Sequence, residues 1–82
     1  MATVTRAEAV SMLEEAFMAE PGSLRAETAQ ADVSGWDSMG ALMLMAELDT
    51  RFGLIVTPDQ LRGLNSVQDV LRLLEVNGFL QS

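Results

Sequence analysis

Apolar residues return with helical spacing in three stretches of the chain. In the first, Val10, Leu13 and Phe17 recur at i, i+3 and i+7, and Ala9, Met12 and Ala16 widen the stripe into a buried face. Thr5 and Glu8 have capping-box spacing at its start, and Pro21-Gly22 is a stop signal, so a helix is predicted over about 5–19. In the second, steps of roughly 100° per residue place Ala41, Leu44, Met45, Leu48 and Phe52 on one face. Asp37 or Ser38 opens this helix and Gly53 closes it, giving about 38–52. Its other face breaks the rule of a polar exterior: Met39, Met43, Ala46 and Thr50 lie there, with Gly40 and Glu47 beside them. In the third, Val67, Val70, Leu71 and Leu74 repeat at i, i+3, i+4 and i+7. Asn65-Ser66 caps it, Asp69 stands at N3, and Asn77-Gly78 ends it, giving about 66–77.

The connections carry their own signals. Residues 21–36 show no sustained period, and Leu24 and Val33 are the expected anchors of this long loop into the core. Loops of more than about 12 residues are uncommon in compact domains unless they have a function. Leu54-Ile55-Val56 could be read as a strand, but one three-residue run without a partner makes no sheet, so a buried extended link is expected. Thr57 as cap, Pro58 at N1 and Gln60 completing a capping box predict a short helix over about 58–62, ended by Gly63. Phe79 and Leu80 are placed to fold back onto the core. The expected fold is all-α: a small four-helix bundle, three main helices plus one short, with a long loop between helices 1 and 2. A single stand-alone domain over 1–82 is expected, favoured by the starting Met and the complete helical ends.

Composition narrows the chemistry. Twelve carboxylates face five arginines and no lysine, for a net charge of −7. That field repels nucleic acid and anionic membranes and attracts proteins with basic patches. No apolar run approaches the roughly 18 residues of a membrane span, and the N-terminus has no basic n-region or apolar h-region. A cytoplasmic monomer is the expectation. The chain has no His, Cys, Lys or Tyr. Acid–base work would fall to carboxylates alone, and no Ser-His pair or thiol nucleophile is available. No carboxylate set has calcium-loop spacing, so no metal site is expected. The arginines are scattered and are assigned to solvated faces. Trp36 is read as a loop anchor against helix ends, and Asp59 as a dipole partner at the start of the short helix.

The one candidate for chemistry is Ser38, at the N-terminus of the second helix, where unpaired N–H groups and the helix dipole favour an anion such as a phosphate. Read alone, Asp-Ser is simply a common N-cap.

Gly-x-Asp-Ser-Met at the start of the second of four helices resembles the acyl carrier and peptidyl carrier family, whose hallmark is Asp-Ser-Leu or Asp-Ser-Met. The resemblance extends over about residues 5–77: helix order, the long first loop, "ELDTRFG" closing the second helix and "SVQDV" opening the last. It implies that Ser38 accepts 4′-phosphopantetheine from coenzyme A by a phosphodiester, through a separate transferase. Asp37 would help engage the transferase and its magnesium ion, and Met39 would be an apolar partner contact. Trp36 could then border the arm. The family would also supply the partners: a phosphopantetheinyl transferase, a loading enzyme (acyltransferase or adenylating ligase), and a ketosynthase or other acyl-processing enzymes. The arm would bring the thiol this chain lacks, and the partners the catalysis, so the chain itself is not expected to be an enzyme.

One departure bears on the pathway. Fatty-acid carriers of the family present acids along the second helix, where this chain has Gly40 and Met43, with Glu47, Asp49 and Thr50 further on. Met43 can pack under the long loop, or Met39, Met43 and Ala46 can form an apolar docking stripe suited to flexible methionines. The stripe points to a specialised pathway: polyketide, nonribosomal peptide or modified fatty acid. The rival readings are an aminoacyl or peptidyl carrier; an unmodified helical adaptor binding through Met39 and Met43, with Ser38 only a cap; and an enzyme using carboxylates alone.

Overall fold

The structure, a computed structural model, describes residues 3–81; positions 1, 2 and 82 of the expected domain lie outside the described residues. Four helices follow one another: α1 (Arg6–Ala16), α2 (Ser38–Phe52), α3 (Pro58–Arg62) and α4 (Val67–Val76). The all-α bundle expected from the periodicity is what forms. α1 packs on α2 and α4, and α3 packs on α2. The core is made of the predicted stripes, with Leu13, Leu44, Leu48, Val67, Val70 and Leu74 all buried. No helix among the described residues is long and apolar enough to cross a membrane.

The caps explain where the helices begin. Thr5 and Glu8 form the reciprocal capping box on α1, and Thr57 and Gln60 repeat it on α3. The start of α4 is satisfied differently. Ser66 accepts from Asp69 N–H, while Val67 N–H donates to Thr28 O (3.0 Å) and Gln68 N–H to Ala26 O (2.8 Å). Two of the orphan donors of α4 are thus met by the long loop, which stitches the loop to the bundle.

That loop departs most from the expected structure. α1 stops at Ala16, not near residue 19. Phe17 is the C-cap, Met18 N–H bonds to Glu15 O, and Ala19 N–H to Glu14 O. This pairing is a Schellman motif, with Met18 in the left-handed conformation (φ 55°) usually given to glycine. The chain therefore turns before Pro21-Gly22 is reached. Leu24 and Val33 are buried as expected. Glu14 is also buried, and its carboxylate accepts Leu24 N–H at 3.1 Å. A 3₁₀ turn (Gln30–Asp32) and an antiparallel bridge between Ala29 and Ser66 add order where the sequence has no period.

Two further differences concern the link before α3 and the chain end. In the Leu54-Ile55-Val56 link only Val56 is buried; Leu54 is half-buried and Ile55 is exposed, because alternate side chains of an extended segment point to opposite sides. Phe79 and Leu80 do fold back: Phe79 stacks on Phe52 at 5.0 Å, and Leu80 forms a parallel bridge with Val4.

Candidate functional site

Asp37 and Ser38 divide the work at the head of α2. Asp37 is the N-cap, and its Oδ1 accepts Gly40 N–H at 2.9 Å. Ser38 is the first helical residue; it is exposed, and its hydroxyl makes no hydrogen bond among the described residues. The capping role that would have made Ser38 a structural residue belongs to its neighbour. Behind them Trp36 is buried, and its indole stacks on Phe17 with ring centroids 4.7 Å apart. Trp36 is thus the loop anchor expected from the sequence.

Two glycines bring the loop this close. A Cβ on Gly35 would fall 1.7 Å from Phe17 O, and one on Gly40 would fall 1.9 Å from Gly35 O. The backbones of the α1 terminus, the loop and the first turn of α2 are therefore in direct contact, which fixes Ser38 relative to the core. Gly40 is buried in this contact. The expectation that it lies on an exposed face is corrected: the loop covers that flank of the first turn.

A depression opens on each side of this ridge. One, of about 380 Å³, lies between the start of α2 and α3; Trp36, Ser38, Leu42, Met45, Leu61 and Arg62 line it. The other, of about 320 Å³, is lined by Phe17, Met18, Gly35, Met39 and Met43. Asp37 borders both. Ser38 has open space beside it and the positive end of a 15-residue helix beneath it, which suits an attached phosphodiester.

Met39, Met43 and Ala46 are exposed, so Met43 is not buried under the loop. Glu47 is half-buried, and Arg51 Nε donates to it at 2.6 Å. Asp49 and Thr50 are exposed, but Thr50 lies about 18 Å along the axis from Ser38. Leu42, 58% exposed beside Ser38, was missed by the periodic reading. Its i+4 spacing from Ser38 is the signal that places it there. Met18, 92% exposed, lies beyond the last turn of α1, where periodicity carries no information.

Comparison with known families decides the identity. Residues 8–74 match the family described as a phosphopantetheine attachment site. The chain belongs to that family. No match is found among curated proteins or among solved structures. Members of this phosphopantetheine-binding family hold 4′-phosphopantetheine covalently. The head of α2 fits the group, with one hydroxyl free of structural duty at a helix N-terminus and a cleft alongside. When bound, the arm supplies a terminal thiol, which none of this chain's own side chains provides.

Proposed function

We propose that the chain is a carrier domain in which Ser38 Oγ is the attachment atom for 4′-phosphopantetheine. The observation that carries the reading is the free, exposed hydroxyl of Ser38 at the first position of α2, with Asp37 doing the capping. Ser38 Oγ would exchange its proton for the phosphopantetheine half of coenzyme A, and the adenosine bisphosphate half would leave. The proton goes to a base of the transferase, since the neighbouring carboxylate, Asp37, is engaged in capping α2 through Gly40 N–H. The amides of the first turn and the helix dipole stabilise the phosphodiester anion. Asp37 holds the turn in register through Gly40 N–H and faces the incoming transferase and its magnesium ion.

On this reading the chain is a cytoplasmic carrier, not an enzyme, and its partners are the transferase, a loading acyltransferase or adenylating ligase, and a ketosynthase or other acyl-processing enzyme. Tethering raises the effective concentration of cargo at each partner. Exposed Met39, Met43 and Ala46 support an apolar docking stripe, with Glu47, Asp49 and Thr50 further along α2 as its rim. Gly40 no longer contributes to the case for a specialised pathway, because it is buried; Met43 does.

The test is an intact mass spectrum after incubation with coenzyme A, magnesium and a broad-specificity transferase. Wild type should gain one phosphopantetheine and Ser38→Ala none. Ser38→Ala should unfold within about 0.5 kcal/mol of wild type, because the hydroxyl has no structural partner. A folded wild-type protein that gains no mass would sink the reading.

A further inference from the structure

Of the five arginines, Arg62 alone lines the depression of about 380 Å³ that Ser38 also lines. It is the last residue of α3, on the other side of that cleft from the head of α2. The remaining cations lie elsewhere. Arg51 is held by Glu47 and Glu15 at the far end of α2, and Arg6 donates to Gln68 on α4. Arg25 and Arg72 line neither depression beside the head of α2. Trp36, Ala41, Met45 and Leu61 give the cleft apolar walls, and its charged lining residues are Asp37 and Arg62. The depression on the other flank has Asp37 but no cation.

Arg62 is not committed to a structural role. Its Nη2 donates to Asp59 Oδ1 on the same helix, and both side chains are largely exposed. A pair of that kind contributes little to stability. Most of the guanidinium's N–H donors have no acceptor among the described residues. The side chain therefore has donors to spare, beside a serine whose modification brings in an anion.

We propose that Arg62 binds the phosphodiester of the attached arm, and so directs the arm toward α3 rather than toward the flank bordered by Met18. The inference rests on the carrier reading above, since it is the arm that brings the anion. A phosphodiester on Ser38 adds a negative charge next to Asp37, in a chain whose net charge is already −7. The amides and dipole of α2 offset part of that repulsion. Arg62 offsets more, because its planar fork matches two phosphate oxygens at once. Asp59 competes for the guanidinium, but its carboxylate is solvated, whereas the phosphodiester is tethered at the cleft and so held at high effective concentration. No cation draws the arm to the opposite depression.

The experiment compares apo and holo forms of the full chain, the arm left as its free thiol and loading verified by intact mass. Melting temperatures are measured for wild type, Arg62→Gln and Arg72→Gln, and phosphorus NMR spectra for the three holo forms. Arg72 is exposed on α4 and controls for the loss of one positive charge. Both arginines are exposed, so the variants fold, and the apo melts verify it. A contact made only in the folded state raises the melting temperature. Wild type and Arg72→Gln should each gain a few degrees on loading, and Arg62→Gln should gain nothing. The arm's phosphorus resonance should move in Arg62→Gln and stay in place in Arg72→Gln. Because the arm carries no cargo, any gain belongs to the arm itself. Equal loss of the gain in both variants would reveal a general charge effect and overturn the contact. No gain in wild type, or a phosphorus resonance unmoved by Arg62→Gln, would overturn it too, with the carrier reading intact. If wild type takes no phosphopantetheine, the carrier reading fails first and this contact with it.

Discussion

Met18 and Gly53 end their helices in the same left-handed backbone region, at φ 55° and 66°. The chain uses glycine at one site and methionine at the other. A left-handed residue other than glycine costs roughly 1–2 kcal/mol, and glycine gives back about 0.5–1 kcal/mol through the extra entropy it loses on folding. Met18→Gly should therefore stabilise the domain by about 0.5–1 kcal/mol, raising the melting temperature by several degrees. Thermal denaturation followed by circular dichroism checks this. A lower melting temperature would mean that the Met18 side chain contributes packing its exposure does not suggest. Asp37 and Ser38 show the same economy at residue scale: the acid fills the cap, and the hydroxyl beside it is left free.

At the scale of the element, α2 has three kinds of surface. Leu44 and Leu48 face the core, Met39 and Met43 face outward, and Gly40 is covered by the loop. Helix propensity favours Ala over Gly by about 1 kcal/mol at such a position. Sterics oppose it. The added Cβ meets Gly35 O at 1.9 Å, and Gly35 is itself packed closely on the Phe17 backbone, where a Cβ would meet Phe17 O at 1.7 Å. Overpacking of this kind costs about 1–3 kcal/mol, and here the obstacle is backbone, so the upper end applies. Gly40→Ala should lose about 2 kcal/mol net in urea denaturation, and Ser38 modification should slow as the α2 head shifts. A stabilised variant would show that the loop is not held against α2.

Across the whole molecule, twelve acids and five arginines share a body of 31 × 25 × 18 Å. At about 0.01 M salt the screening length is about 30 Å, so every charge acts on every other; at about 0.1 M it is about 10 Å. Self-repulsion weakens over that interval. The exposed pairs Arg51–Glu47 and Arg62–Asp59 contribute little each. The melting temperature should rise by a few degrees between those two salt concentrations. A fall would mean that the ion pairs outweigh the net repulsion. The long loop is the other whole-molecule feature: Glu14, Thr28 and Ala26 tie it to α1 and α4, so it behaves as part of the bundle.

The four helices were legible in the chain because each carries a local signal. Thr5 with Glu8 and Thr57 with Gln60 are capping boxes within one turn, and Val67 to Leu74 repeat with the helical period. The position of Ser38 at the head of α2 was legible for the same reason. The early stop of α1 was not, because Pro21-Gly22 is a stronger local signal than a Schellman turn built on methionine. The 3₁₀ turn, the exposure of Ile55 and the burial of Gly40 were not legible either. By itself the sequence determined periodicity, caps, charge and the place of Ser38 at the head of α2, since these depend on neighbours within a few residues. Only the tertiary structure decided which flank of α2 the loop covers and which methionines stay bare, because that depends on contacts between residues distant in the chain.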